Sequence, residues 1–128
     1  MGCPGIHVDL PLDETAPRDA RASVGRWCEG LSRRPACCDT VRLLVSELVT
    51  NAVIHSGAES GTSVTVRATA CEDRDGVRVE VLDSGRGALP RLREPGVADG
   101  GYGLQIVAGA ARSWGAERGQ LTRVWFEL

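Results

Sequence analysis

The stretch that decides the fold runs from Val41 to His55, V-R-L-L-V-S-E-L-V-T-N-A-V-I-H. Six of its apolar residues recur with the spacing of a helix that buries one face. They are Val41, Leu44, Val45, Leu48, Val49 and Ala52. The polar residues Glu47, Asn51 and His55 follow one another at four-residue intervals. Because four residues rise about 6 Å and turn about 400° on an α-helix, these three form a stripe beside the apolar face.

The polar stripe has two interpretations. A carboxylate, an amide and an imidazole at the edge of a core are typical of a pocket wall, but an ordinary amphipathic helix can carry the same residues on its flank. The same helical geometry places Arg42, Ser46 and Thr50 farther round, toward solvent. Residues elsewhere in the chain must decide between the two interpretations.

Length and composition favour one soluble globular domain over residues 1–128, with residues 1–5 frayed. The 128 residues are 42% hydrophobic and 25% charged, and the net charge is −2. This charge gives no reason to expect direct binding to nucleic acid or to an anionic membrane. No apolar run reaches the roughly 20 residues of a membrane span, and the N-terminus lacks a signal pattern, so we expect a cytoplasmic protein. All fifteen basic residues are arginine, so contacts to phosphate must use arginine, backbone N–H groups or a metal.

The five cysteines are odd in number and show no C-x-x-C spacing. They are Cys3, Cys28, Cys37, Cys38 and Cys71. This pattern favours reduced, structurally incidental thiols, with a redox or metal-binding role as the alternative.

Periodicity and turn residues predict three helices and five strands. The elements are a strand over 6–10, a helix over 17–28, the central helix from an N-cap at Asp39 to His55, strands over 63–68 and 77–82, a helix over 104–111, and strands over 114–117 and 122–128. Asp75-Gly76 is typical of a tight hairpin turn, and residues 84–102 form a long loop. The order β-α-α-β-β-α-β-β predicts an α+β two-layer sandwich, with the helices on one face of a mixed, mostly antiparallel sheet.

Two glycine-containing motifs follow the central helix. The strand over 77–82 runs into Asp83-Ser84-Gly85-Arg86-Gly87, and Gly101-Tyr102-Gly103-Leu104 comes just before the next helix. The ordered set E-x-x-x-N, D-x-G-x-G and G-x-G-L resembles the ATP-binding domain that histidine kinases, type II topoisomerases and heat-shock chaperones share, the GHKL superfamily. Within that superfamily, E-L-V-T-N-A-V-I-H and the small size resemble the anti-sigma factor serine/threonine kinases. The resemblance covers residues 6–128 and favours the pocket-wall interpretation.

The resemblance implies a role for each matching residue. Glu47 would be the catalytic base, and Asn51 would hold Mg²⁺ on ATP. Asp83 matches the position that recognises the adenine amino group. The implied ATP-binding residues are Asn51, His55, Asp83, Gly85, Gly87, Gly101, Gly103, Leu104 and Thr122. Two departures from the family pattern are Tyr102, where relatives often carry arginine, and Leu121, where they usually carry glycine.

The implied function is phosphorylation of an anti-sigma factor antagonist protein by an ATP-binding anti-sigma factor, with ATP and Mg²⁺ as cofactors. The implied partners are a sigma factor and that antagonist, and a homodimer is compatible with the resemblance. One alternative is a catalytically inactive module that binds ATP or sequesters a partner. Another is a stand-alone ATPase, which would hydrolyse ATP without any partner.

Overall fold

The computed structural model describes residues 5–31, 35–55, 61–71, 76–85 and 102–128. The elements are β1 (Gly5–Pro11), α1 (Ala16–Gly30), α2 (Pro35–His55), β2 (Ser63–Cys71), β3 (Gly76–Asp83), α3 (Tyr102–Ala110), β4 (Ser113–Arg118) and β5 (Thr122–Glu127). The predicted order of helices and strands is confirmed. Within the described ranges, no helix is long and apolar enough to cross a membrane.

The five strands form one sheet in the order β1-β2-β3-β5-β4. All four described pairings are antiparallel, so the parallel component of the predicted mixed sheet is wrong for these strands. The helices pack on one face of the sheet and share a single hydrophobic core with it. The predicted α+β two-layer sandwich is therefore confirmed.

Strand alternation sets which side chains meet the helices. On β3, Val77, Val79 and Val81 are fully buried, as the sequence predicts. Asp83 has the same parity and so lies on the helix-facing side, at the end of the strand. On β5, Thr122 shares its parity with the buried Val124 and Phe126.

The central helix buries the whole predicted apolar face. It begins at Pro35, four residues before the predicted N-cap Asp39. Proline is tolerated in the first helical turn because its missing N–H would have no intrahelical partner there. Asp39 instead accepts a hydrogen bond from Arg42 Nη1 at 3.1 Å inside the helix.

The bounds of α3 also differ from the prediction. Helix α3 begins at Tyr102 rather than at residue 104, and it ends at Ala110, so Arg112 lies outside its last turn. The Arg112 N–H instead donates to the carbonyl oxygen of Glu127 at 2.8 Å, which joins the start of β4 to the end of β5. The Asp75 half of the predicted hairpin turn lies outside the described residues, although the pairing of Cys71 with Gly76 confirms a β2–β3 hairpin.

The face of the sheet opposite the helices carries ion pairs and one aromatic ring. Arg78 donates to Glu127 at 2.7 Å and lies 4.2 Å from the centroid of the Trp125 ring. On the neighbouring strand, Gly115 lies directly under that ring. A Cβ atom at Gly115 would come within 2.8–2.9 Å of three atoms of the indole.

We expect Gly115→Ala to destabilise the protein by about 1–3 kcal/mol, because the Trp125 ring must leave its place under Arg78. Urea denaturation measures the change in the free energy of unfolding. Gly109→Ala is the matched control: among the described residues, a Cβ there meets no atom within 4 Å outside the helix's own backbone, and alanine favours the helix. The control should be neutral or stabilising, and equal losses in both variants would contradict the packing argument.

Candidate functional site

Asp83 is a carboxylate buried at the end of β3, with only 6% of its surface exposed. The N–H of Gly85 donates to its Oδ1 at 2.7 Å, which closes a tight turn as the chain leaves the sheet. Burial raises the pKa of Asp83, and the Gly85 N–H and the charge of Arg118 oppose that increase. The site therefore keeps a desolvated hydrogen-bond acceptor near the helix-covered face.

Thr122 lies directly across from Asp83, as its partner in the β3–β5 pairing. Its hydroxyl donates to the carbonyl oxygen of Gly85 at 3.1 Å. The structure thus places Thr122, one of the implied ATP-binding residues, beside Asp83. The departure at Leu121 does not disturb this contact, since Leu121 is exposed.

Arg118 completes the network, and the sequence analysis missed it. Its Nε donates to Thr122 Oγ1 at 3.3 Å. The signal that would have found it is the β4–β5 hairpin, because a turn over residues 119–121 puts Arg118 opposite Thr122. Side chains and backbone therefore link Arg118, Thr122, Gly85 and Asp83 in one chain of hydrogen bonds.

We expect Thr122→Val to destabilise the protein by about 1 kcal/mol, because valine keeps the shape of the side chain and removes both hydroxyl hydrogen bonds. Urea denaturation gives the free energy of unfolding. Thr69→Val, on the exposed part of β2, is the matched control and should change stability by less than about 0.5 kcal/mol. If Thr69→Val lost as much stability as Thr122→Val, a special role of the Thr122 hydroxyl would be contradicted.

Glu47 and Asn51 are half-buried on one flank of α2. Helix α1 packs on the other flank, where Arg21 Nη1 donates to Ser46 Oγ at 3.2 Å and Arg42 pairs with Glu29. The prediction that Arg42 and Ser46 face solvent is therefore wrong, since α1 contacts both residues. The flank with Glu47 and Asn51 is the one that α1 leaves accessible.

The topology brings the end of α2 to the Asp83 end of the sheet. Helix α2 ends at His55, and β2 begins at Ser63, next to the pairing of Val64 with Asp83. Helix α3 ends just before β4 begins, at the opposite end of the sheet, and β4 then runs back to Arg118, which pairs with Thr122. The N-terminal end of α3 therefore lies at the Asp83 end of the sheet. The C-terminal end of α2, the N-terminal end of α3 and the Asp83 network thus share one end of the fold.

Gly103 lies in the first turn of α3, not before it as predicted, and Leu104 lies in the same turn. The first four N–H groups of a helix have no intrahelical acceptor, and they attract anions. This start therefore suits phosphate groups. Gly87 and Gly101 lie outside the described residues, as does the side chain of His55.

The residues present fit a magnesium ion that arrives with a nucleotide. The described ranges contain no group of three or more His, Cys, Asp or Glu side chains able to hold a metal. Mg²⁺ commonly takes one or two protein oxygens and fills its other positions with phosphates and water. The amide of Asn51, beside Glu47, offers one such oxygen.

Comparison with known proteins identifies the family. The model of the histidine kinase-like ATPase domain matches residues 10–127. The chain therefore belongs to the family of histidine kinase-like ATPase domains. The predicted membership of the GHKL superfamily is confirmed.

One curated relative of this chain is an anti-sigma factor. The chain is 40% identical over 78 residues to the anti-sigma F factor of Clostridium acetobutylicum. The match covers 59% of this chain and 53% of that protein, so it spans about half the length of the relative.

Solved structures show the same fold. The RsbU and RsbW domains of Rv1364c from Mycobacterium tuberculosis match at a TM-score of 0.75 and 23% identity, over 97% of this chain and 32% of that one. The SiaB–SiaC complex from Pseudomonas aeruginosa matches at a TM-score of 0.71 and 12% identity, over 96% of this chain and 88% of that one. The histidine kinase domain of the blue-light activated histidine kinase EL346 from Erythrobacter litoralis matches at a TM-score of 0.55 and 24% identity, over 93% of this chain and 61% of that one.

Proposed function

We propose that this protein is an ATP-binding anti-sigma factor that phosphorylates a serine or threonine of an anti-sigma factor antagonist. The observation that carries the proposal is the buried Asp83, whose carboxylate accepts from the Gly85 N–H while the Thr122 hydroxyl donates to the Gly85 carbonyl oxygen. This network lies at the end of the sheet where α2 ends and α3 begins. The anti-sigma F relative supports the regulatory part. We also propose that a sigma factor is the second partner.

Asp83 would select adenine. Its carboxylate accepts hydrogen bonds only, so it suits the exocyclic amino group of adenine and opposes the carbonyl oxygen that guanine carries in its place. Gly85 would let the base lie close to the backbone, because no side chain projects there. Thr122 would hold the Gly85 carbonyl, and Arg118 would hold Thr122.

The two helix ends would handle the phosphates. The first-turn N–H groups of α3, including that of Gly103, would donate to phosphate oxygens. Asn51 would give its amide oxygen to Mg²⁺, and the ion would supply positive charge that offsets the negative charge of the phosphates. Glu47, one turn earlier on the same flank, would accept the proton of the attacking hydroxyl.

Calorimetry with MgATP and MgGTP tests the nucleotide part of the proposal. We expect binding of ATP and much weaker binding of GTP. Equal affinities would contradict base selection by Asp83. No binding of either nucleotide would contradict the proposed nucleotide site.

Single-turnover transfer from γ-labelled ATP tests the kinase part. Antagonist proteins encoded in the same genome serve as substrates, and ATP hydrolysis without any partner is measured in parallel. Label on a serine or threonine of an antagonist supports the kinase. Stable partner binding without transfer would favour a sequestering module, and hydrolysis that ignores the partner would favour a stand-alone ATPase.

A further inference from the structure

Three thiols meet where α1 ends and α2 begins, away from the candidate nucleotide site. Cys28 and Cys38 are 0% and 2% exposed, and Cys37 is partly exposed. The Cys38 thiol donates to Cys28 Sγ, with the two sulfur atoms 2.7 Å apart. The odd number of cysteines and the lack of C-x-x-C spacing favoured incidental thiols, and the sequence does not show that Cys28 meets Cys37 and Cys38.

The surroundings of Cys28 keep it protonated. Burial and the neighbouring Cys38 and Cys37 sulfurs raise the pKa of Cys28. A protonated, buried thiol reacts slowly with oxidants, because the thiolate is the nucleophile. Cys37 also contacts Cys28 and is the most accessible of the three thiols.

We propose that Cys28 and Cys38 form a disulfide when a peroxide oxidises the protein, with Cys37 as the entry point. The helices already hold the two sulfur atoms within about 1 Å of bonding distance, which is about 2.05 Å. The cross-link would join α1 to α2 inside the core. It requires no part of the proposed nucleotide chemistry.

The oxidation balances in three steps. The Cys37 thiolate attacks hydrogen peroxide, the O–O bond breaks, and Cys37 sulfenic acid and hydroxide form, the hydroxide taking up a proton to leave as water. Cys28 loses its proton as its sulfur attacks Cys37 Sγ, which releases a second water and forms a Cys28–Cys37 disulfide. Cys38 then attacks Cys28 Sγ, which forms the Cys28–Cys38 bond and returns Cys37 to a thiol. In total, two thiols lose two hydrogen atoms and one peroxide becomes two waters.

Tryptic mapping of the whole protein tests the cross-link. The protein is treated with hydrogen peroxide, its remaining thiols are alkylated, and it is digested without reduction. Cleavage after Arg26, Arg33 and Arg42 places Cys28 on the peptide 27–33 and both Cys37 and Cys38 on the peptide 34–42. We expect these peptides to be joined, while Cys71 on the peptide 68–74 stays alkylated as an internal control. Recovery of the peptide 27–33 with Cys28 alkylated would overturn the proposal.

Cys37→Ser identifies the partner of Cys28 and should leave the core intact, because Cys37 is partly exposed. We expect the variant to form the same cross-link to the same extent, about tenfold or more slowly, since the accessible thiol is lost. Loss of the cross-link would show that Cys37 is the bonded residue and would overturn the assignment to Cys38.

Thermal unfolding gives an independent readout. A disulfide between residues 28 and 38 closes a short loop in the unfolded chain, so the oxidised protein should melt roughly 5–10 °C higher than the reduced one. Dithiothreitol should reverse the increase. An unchanged or lower melting temperature in the cross-linked protein would contradict the geometry on which the proposal rests.

Discussion

Glu47→Gln should transfer phosphate about 10²- to 10⁴-fold more slowly than the unaltered protein while binding ATP almost normally. A base that accepts the proton of the attacking hydroxyl acts chiefly in the transition state, so its loss lowers turnover more than affinity. Glutamine keeps the size and the helix propensity of glutamate, so the half-buried flank of α2 should stay intact. Single-turnover kinetics and calorimetry measure the two effects separately.

Two controls sharpen this experiment. Glu29→Gln makes the same chemical change near the end of α1, where Glu29 pairs with Arg42, and should leave transfer unchanged. Asn51→Ala should weaken both MgATP binding and transfer, because the proposed metal ligand acts in both states. Transfer at the normal rate by Glu47→Gln would show that this residue is not the base.

Asp83→Asn should weaken ATP binding about 10- to 100-fold, because hydrogen bonds to a charged acceptor contribute about 1.5–3 kcal/mol. The asparagine oxygen can keep the bond from the Gly85 N–H, and its NH₂ group would then meet the amino group of adenine, donor against donor. Calorimetry gives the affinity. Asp9→Asn, an exposed carboxylate on β1, should leave the affinity unchanged. Normal ATP binding by Asp83→Asn would exclude Asp83 as the base-selecting residue.

The stability of Asp83→Asn should move in the opposite direction from its affinity. Because burial raises the pKa of Asp83, stabilisation from the protonated carboxyl is fully present below the pKa of the unfolded chain. That stabilisation is lost as pH rises through the higher pKa of the folded protein. At neutral pH the ionised Asp83 therefore destabilises the fold, and the asparagine variant should be at least as stable as the unaltered protein in urea.

The core and the order of elements followed from the sequence because burial leaves a strong periodic signal. The apolar face of α2 and the valines of β3 repeat with the periods of a helix and a strand, and each predicted core residue on them is buried. The start of α2 did not follow, because Pro35 can end one helix or begin the next. Tertiary packing selects between these two alternatives, and the local sequence does not show which one it selects.

The candidate site was predictable only in part. Motifs indicated Asp83 and Thr122, whose strands pair directly, and the structure places them together. Arg118 gave no signal by itself, since its part in the site depends on the register of the β4–β5 hairpin. The surroundings of Ser46 depended on where α1 packs, which the period of one helix cannot specify. The roles of Glu47, Asn51 and Asp83 remain the predictions that the variants above test.

The pairing of β1 with β2 sets the order in which this chain can fold. Thr65 donates to Asp9 across 56 residues of sequence, whereas the β2–β3 and β4–β5 hairpins join near neighbours. Closing a long loop costs more chain entropy than closing a hairpin, so the edge strand should join late. During synthesis, β1 leaves the ribosome before α1 and α2, so it waits for both helices to be synthesised before its only described partner strand exists.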